Sequence, residues 1–192
     1  QDVLVVQGGI VEGDGGRHAV AIDVAGDQPV AVEHQADALF ESAIPFAVEQ
    51  APNMTSQSII GFFRSFAVLG YDAPSLWRPM ALFAHERLDE FTAQGLSNLA
   101  WAYAVADVQG PEVDALFGDG AFTGRCNQLI GEERMYSAPG SSAYEHLRQL
   151  HQWELWRQAT SLAKAADGVP EWPPLDADLT RLCATAFASH HG

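Results

Sequence analysis

The chain has 192 residues, 47% of them apolar, enough to bury a core and too many for a disordered tail. Ten basic residues, with Lys164 the single lysine, face 25 acidic ones, giving a net charge of −15 at neutral pH. That balance excludes a non-specific binder of phosphate backbones or anionic membrane surfaces, and no apolar run reaches the roughly eighteen residues of a membrane-spanning helix.

Cys126 and Cys183 lack CxxC spacing and are too few for a disulfide framework, so they are expected to be buried free thiols in a reducing compartment. The first residue is Gln1, which suggests a processed product or a fragment.

Residues 1–35 read as strands. "VLVVQGGIV" is β-branched, "EGDGG" supplies turn glycines, and "HAVAIDV" and "PVAVEHQ" flank the turn signal "AGDQ". The expectation is a small N-terminal β-hairpin or meander. From Ala36 the pattern becomes helical: Leu39, Ala43, Phe46 and Ala47 share one face, and Pro45 predicts a kink or break. The two regions, 1–35 and 36–192, are expected to be a β segment and a helical domain.

A repeat governs the helical region. Thr55 and Thr92 lie 37 residues apart, and at this offset Gln57 matches Gln94, Ile59 matches Leu96, Phe62 matches Leu99 and Phe66 matches Tyr103. Ala67, Val68 and Pro74 recur as Ala104, Val105 and Pro111. Each threonine is placed to cap a helix, and each proline to open the next. Met54 with Ile59, and Phe91 with Leu96, have the spacing of a hydrophobic staple.

A looser third copy starts at Ser142, with Glu145 at capping-box spacing and Leu147 and Leu150 aligned to Leu96 and Leu99. The second helices, from Pro74 and from Pro111, are weakened by Pro79 and by Gly118 and Gly120. A proline-rich turn then leads to a terminal helix from about Asp176. Paired helices at a period of about 37 predict a mainly α fold, an α-solenoid whose hairpins bury one shared seam holding Phe62, Phe66, Leu99 and Tyr103.

Two phrases carry a family resemblance. Gln94, Leu96, Ser97, Asn98, Trp101 and Ala102 spell "Q-x-L-S-N-x-x-W-A", and Leu147, Gln149, Leu150, His151, Gln152, Leu155 and Trp156 spell "L-x-Q-L-H-Q-x-x-L-W". Over roughly residues 50–190 the chain resembles the helical region upstream of the RAP domain in FAST-kinase-like and octotricopeptide-type organellar proteins. "GRHAVAIDVAGDQPVAVEHQ" resembles a RAP strand pair, although in those families the RAP domain follows the helices. The resemblance implies a mitochondrial or chloroplast helical-repeat protein of RNA processing, stability or translation.

Solenoids that read single-stranded RNA place side chains from equivalent repeat positions along one surface. At such positions Gly61, Asn98 and Gln149 align, as do Arg64, Trp101 and Gln152. Amide, guanidinium and indole groups suit base-edge hydrogen bonds and stacking. With Arg148 these make the candidate RNA- or partner-binding set: Arg64, Asn98, Trp101, Arg148, Gln149 and Gln152. A nucleic-acid groove predicts Arg64, Arg148 and Arg157 gathered on one face; scattered arginines beside an apolar patch predict a protein scaffold within a larger assembly, the partner class that the acidic balance favours over RNA.

Catalysis is not expected. Asp23 and Glu33, on adjacent predicted strands, have the placement of carboxylates in a metal-dependent nuclease, but Gln35 stands where that chemistry needs a lysine. His146 and His151 diverge on a helix, His190 and His191 sit at a chain end, and His18 with His34 lacks a third ligand, so neither a metal nor a cofactor is expected.

Overall fold

The computed structural model describes residues 32–71, 73–133, 142–165 and 171–191. It divides into two compact units, residues 1–42 and 43–192. Among the described residues there are eight α-helices, two single-turn 3-10 segments and no strand, so the chain is mainly α. The expected β segment lies almost wholly outside the described residues. Where it overlaps them it is corrected: Val32 to Gln35 are helical, opening α1 (Val32–Gln50), so helix begins four residues before the expected change at Ala36. Nor does Pro45 interrupt α1, although it lacks the N–H of an interior helical residue.

In residues 43–192 the chain makes a 3-10 turn (Ala51–Asn53) and then α2 (Ser56–Leu69), α3 (Pro74–Glu86), a second 3-10 turn (Leu88–Glu90) and α4 (Ala93–Ala106). Next come α5 (Pro111–Gly118), α6 (Ala121–Glu133), α7 (Ser142–Ala165) and α8 (Ala177–His191). Thr55 Oγ1 accepts the Ser58 N–H at 3.1 Å, and Thr92 Oγ1 accepts the Gly95 N–H at the same distance, so both repeats open on the same cap. Both also close alike. Gly70 (φ 61°) and Asp107 (φ 48°), again 37 residues apart, end α2 and α4 in the left-handed region. After Gly70, the N–H groups of Gly70 and Tyr71 return to the carbonyls of Ala67 and Phe66, a Schellman closure. The second helix of the second repeat breaks at Gly118–Gly120 into α5 and α6, whereas Pro79 sits inside an unbroken α3.

α2, α4, α7 and α8 are neighbours in that order, while α3, α5 and α6 succeed one another in a second series. Between the series runs a train of rings: Phe63, Trp77, Tyr103, Phe117, Phe122 and Trp153, with successive centroids 4.9–5.6 Å apart. Tyr103 is wholly buried, its hydroxyl donates to the Trp77 carbonyl at 2.7 Å, and burial raises its phenol well above the ordinary value. Of the four residues expected in the seam, Phe66, Leu99 and Tyr103 are buried. Phe62 is corrected: it is half-buried, and its neighbour Phe63 fills the seam. The offset of 37 fixes equivalent positions but not which of two adjacent phenylalanines turns inward.

After α7 the extended segment 171–176 is stitched to the helices. Trp172 Nε1 donates to Asp114 Oδ1 at 2.8 Å, and its carbonyl accepts from Arg157 Nη1 at 2.8 Å. Asp176 caps α8 by accepting the Leu179 N–H at 2.7 Å, as the predicted terminal helix requires. Glu145 pairs with Arg148 one turn along the same helix; its expected capping-box partner, the Ser142 side chain, lies outside what is described.

Candidate functional site

On α7, Glu145, Arg148, Gln149 and Gln152 follow the i, i+3, i+4, i+7 pattern that puts side chains on one face of a helix. That face joins Arg64 of α2, Trp101 of α4 and Phe187 of α8 in an open groove of about 340 Å³. Five of the six residues singled out from the sequence line it: Arg64, Trp101, Arg148, Gln149 and Gln152. The sixth, Asn98, stands behind the wall. Its Oδ1 accepts from Gln149 Nε2 at 2.9 Å, a buried bond between α4 and α7 that fixes the Gln149 amide.

The groups differ in how they are held. Arg148 is engaged by Glu145, whereas Arg64 is exposed and has no hydrogen-bond or ion-pair partner among the described residues. Trp101 is partly exposed. Gln149 is 91% buried, and its Oε1 accepts no hydrogen bond among the described residues. Phe187 packs on His151, ring centroids 4.8 Å apart. Burial holds the His151 imidazole below its ordinary value, against an opposing pull from Glu154. Phe187 and Glu145 were not foreseen. The capping-box reading drew attention away from Glu145, and Phe187 belongs to α8, which lies outside the repeat.

Arg157, which a nucleic-acid groove would gather with Arg64 and Arg148, is not among the residues lining this one, so that condition is not met. It is buried on another side of α7, where Nε and Nη2 donate to the Glu154 carboxylate at 2.9 and 2.6 Å. A guanidinium so enclosed is a structural tie between α7 and the 171–176 segment. It is not available to a ligand.

Glu33 lies in α1 and not on a strand, and Asp23 lies outside the described residues, as do His18 and the β-turn glycines. Cys126 on α6 and Cys183 on α8 are buried free thiols; burial pushes Cys183 up to about 12 and Cys126 well above its usual value. Among the described residues no three His, Cys, Asp or Glu side chains come together as a metal site. No described helix is long and apolar enough to cross a membrane.

The groove offers a flat indole, one cation unpaired among the described residues, an ion pair and two amides, groups suited to binding. Searches against family models, curated proteins and solved structures find no match for this chain.

Proposed function

We propose that this chain is a non-catalytic helical-repeat protein, an α-solenoid of paired helices, that binds unpaired RNA along the α2–α4–α7 face in the RNA metabolism of a mitochondrion or chloroplast. The observation that carries the binding mode is the opening of three equivalent repeat positions, Arg64, Trp101 and Gln152, into one groove. A base stacked on an indole beside an amide and a guanidinium is a common way to hold single strands. The solenoid reading draws on the two helix series, on the matched caps of α2 and α4, and on the matched left-handed closures 37 residues apart. The organelle rests on the family resemblance alone.

Fluorescence polarisation of labelled RNA homopolymers at low salt tests this reading. Binding that Trp101→Ala weakens by about 5- to 100-fold, without loss of helicity, is the expected result, since stacking contributes about 1–3 kcal/mol per base. Undetectable binding of every homopolymer ends the RNA reading.

One observation favours a second reading, that of a protein-only scaffold. Val68, Leu69, Val105 and Leu155, near the ends of α2 and α4 and along α7, are between 48 and 65% exposed. A protein ligand would use such exposed apolar side chains, and the net charge of −15 suits a basic one. Isolation of the native protein in a stable protein complex free of RNA, with Val105→Asp releasing the partner, would establish it.

A further inference from the structure

The groove's electrostatics go beyond its shape. Seven arginines lie among the described residues, and five of them are committed within the fold. Arg87 is bound to Glu90, Arg125 to Gln128 and the Asp89 carbonyl, Arg148 to Glu145, Arg157 to Glu154, and Arg181 to Asp178. Only Arg64 and Arg78 have no such partner among the described residues, and of these only Arg64 lines the groove. Around them the chain carries an excess of carboxylates, which repel a phosphate backbone at long range.

The base-facing groups are better prepared. Trp101 presents part of its indole to the groove, and the Gln149 amide is held at its wall by Asn98 through a buried 2.9 Å bond. Gln149 Oε1 is buried and has no donor among the described residues, so it would accept a ligand N–H only if the wall shifts to expose it.

We infer that the groove recognises one unpaired nucleotide through its base, with a single phosphate contact made by Arg64. This rests on the RNA-binding reading and specifies it. Most single-strand binders draw affinity from several phosphates and lose it steeply with salt. Here one neutralised phosphate predicts a logarithmic salt slope of about −0.7, or about a threefold loss of affinity between 50 and 200 mM salt. Three phosphate contacts would give about a twentyfold loss over the same interval.

The test uses the full chain, four labelled RNA homopolymers of about eight nucleotides, and an abasic ribose-phosphate strand of the same length. Expected are about a threefold salt effect, affinities that differ among the bases, and no binding of the abasic strand. Arg64→Gln, at an exposed and unpaired position, should flatten the salt dependence while the order of base preference stays. A twentyfold salt effect, an abasic strand that binds as well as the homopolymers, or a slope unchanged in Arg64→Gln would overturn the single-contact assignment and leave RNA binding standing. Failure of all four homopolymers to bind at low salt would overturn both.

Discussion

The inward and outward faces of α2 and α4 repeat differently. On the seam side the equivalents keep their chemistry: Ile59 and Leu96, and Phe66 and Tyr103, are buried and apolar in body. On the groove side the equivalents change type, from Arg64 to Trp101 to Gln152. Close packing accounts for the first behaviour, because a seam residue must fill a shape set by the next helix pair. No such demand acts on the groove, where each helix can present a different group. Several seam positions therefore stay apolar across the repeat, while the groove positions carry individual groups.

The comparison breaks most visibly in the seam. Phe63 is fully buried, with Trp77 at 5.2 Å and Tyr103 at 5.1 Å between ring centroids. Phe63→Ala is expected to cost about 4 kcal/mol and to lower the melting temperature by about 10 °C. Phe62→Ala, next to it but half-buried, should cost about 1 kcal/mol. Equal losses in thermal melts would mean that the inward register has been misassigned.

A buried ion pair comes next. Arg157→Ala takes the cation from the Glu154 carboxylate, which is 3% exposed and keeps only the Gln158 Nε2 donor, and should cost about 3 kcal/mol. Replacing both residues by methionine should restore most of that loss, because attraction within a buried pair roughly offsets its desolvation. A double variant no more stable than Arg157→Ala would show that the bond from Arg157 to the Trp172 carbonyl matters more than the pair.

These residues also show what the sequence discloses. Thr55, Thr92, Pro74 and Pro111 announce helix starts, because caps and first-turn prolines depend on local backbone geometry alone. The groove residues were legible for a related reason: equivalent positions on stacked helices face the same way, so aligning the repeats also aligned Arg64, Trp101 and Gln152. Arg157 was not legible. Its partner Glu154 lies one turn before it, a spacing that on most helices marks a solvated pair. Segment 171–176 reaches it through the Trp172 carbonyl, and that is a tertiary event. Phe187 escaped notice for the same reason. The residues Val32 to Gln35 mislead locally, since β-branched residues beside Pro29 and a turn signal fit a strand as well as a helix start.

Two glycines sharpen the contrast between closure and face. Gly70 holds φ 61°, so Gly70→Ala should cost about 1 kcal/mol although a Cβ there meets nothing within 4 Å. Gly61 lies inside α2 with equally open surroundings, and Gly61→Ala should stabilise by about 0.5–1 kcal/mol. Opposite signs in chemical denaturation are the check. A stabilising Gly70→Ala would remove the left-handed closure shared with Asp107. At Asp107 the side chain has its own task, since Oδ1 accepts from Trp156 Nε1 at 2.7 Å and ties the end of α4 to α7.

The smallest effect is a pH dependence where groove and seam meet. Burial lowers the His151 imidazole in the folded chain, while the unfolded chain takes up its proton near the ordinary value of about 6.5. Below that value the unfolded state binds more protons than the folded one, so stability falls as pH drops from about 7 to about 5, by less than about 1 kcal/mol. The carboxylates of Glu90 and Asp119 act in a different window. For Asp119 burial pulls upward, but the Ala121 N–H and His85 outweigh it; for Glu90 the Arg87 hydrogen bond dominates. Both are held below their usual values, and they lose their contribution progressively as pH falls below about 5. His151→Phe keeps a ring against Phe187 and removes the titration, so the difference in melting temperature between pH 7 and pH 5 should shrink in that variant. An undiminished difference would assign the loss to another group and leave His151 as a packing residue under Phe187.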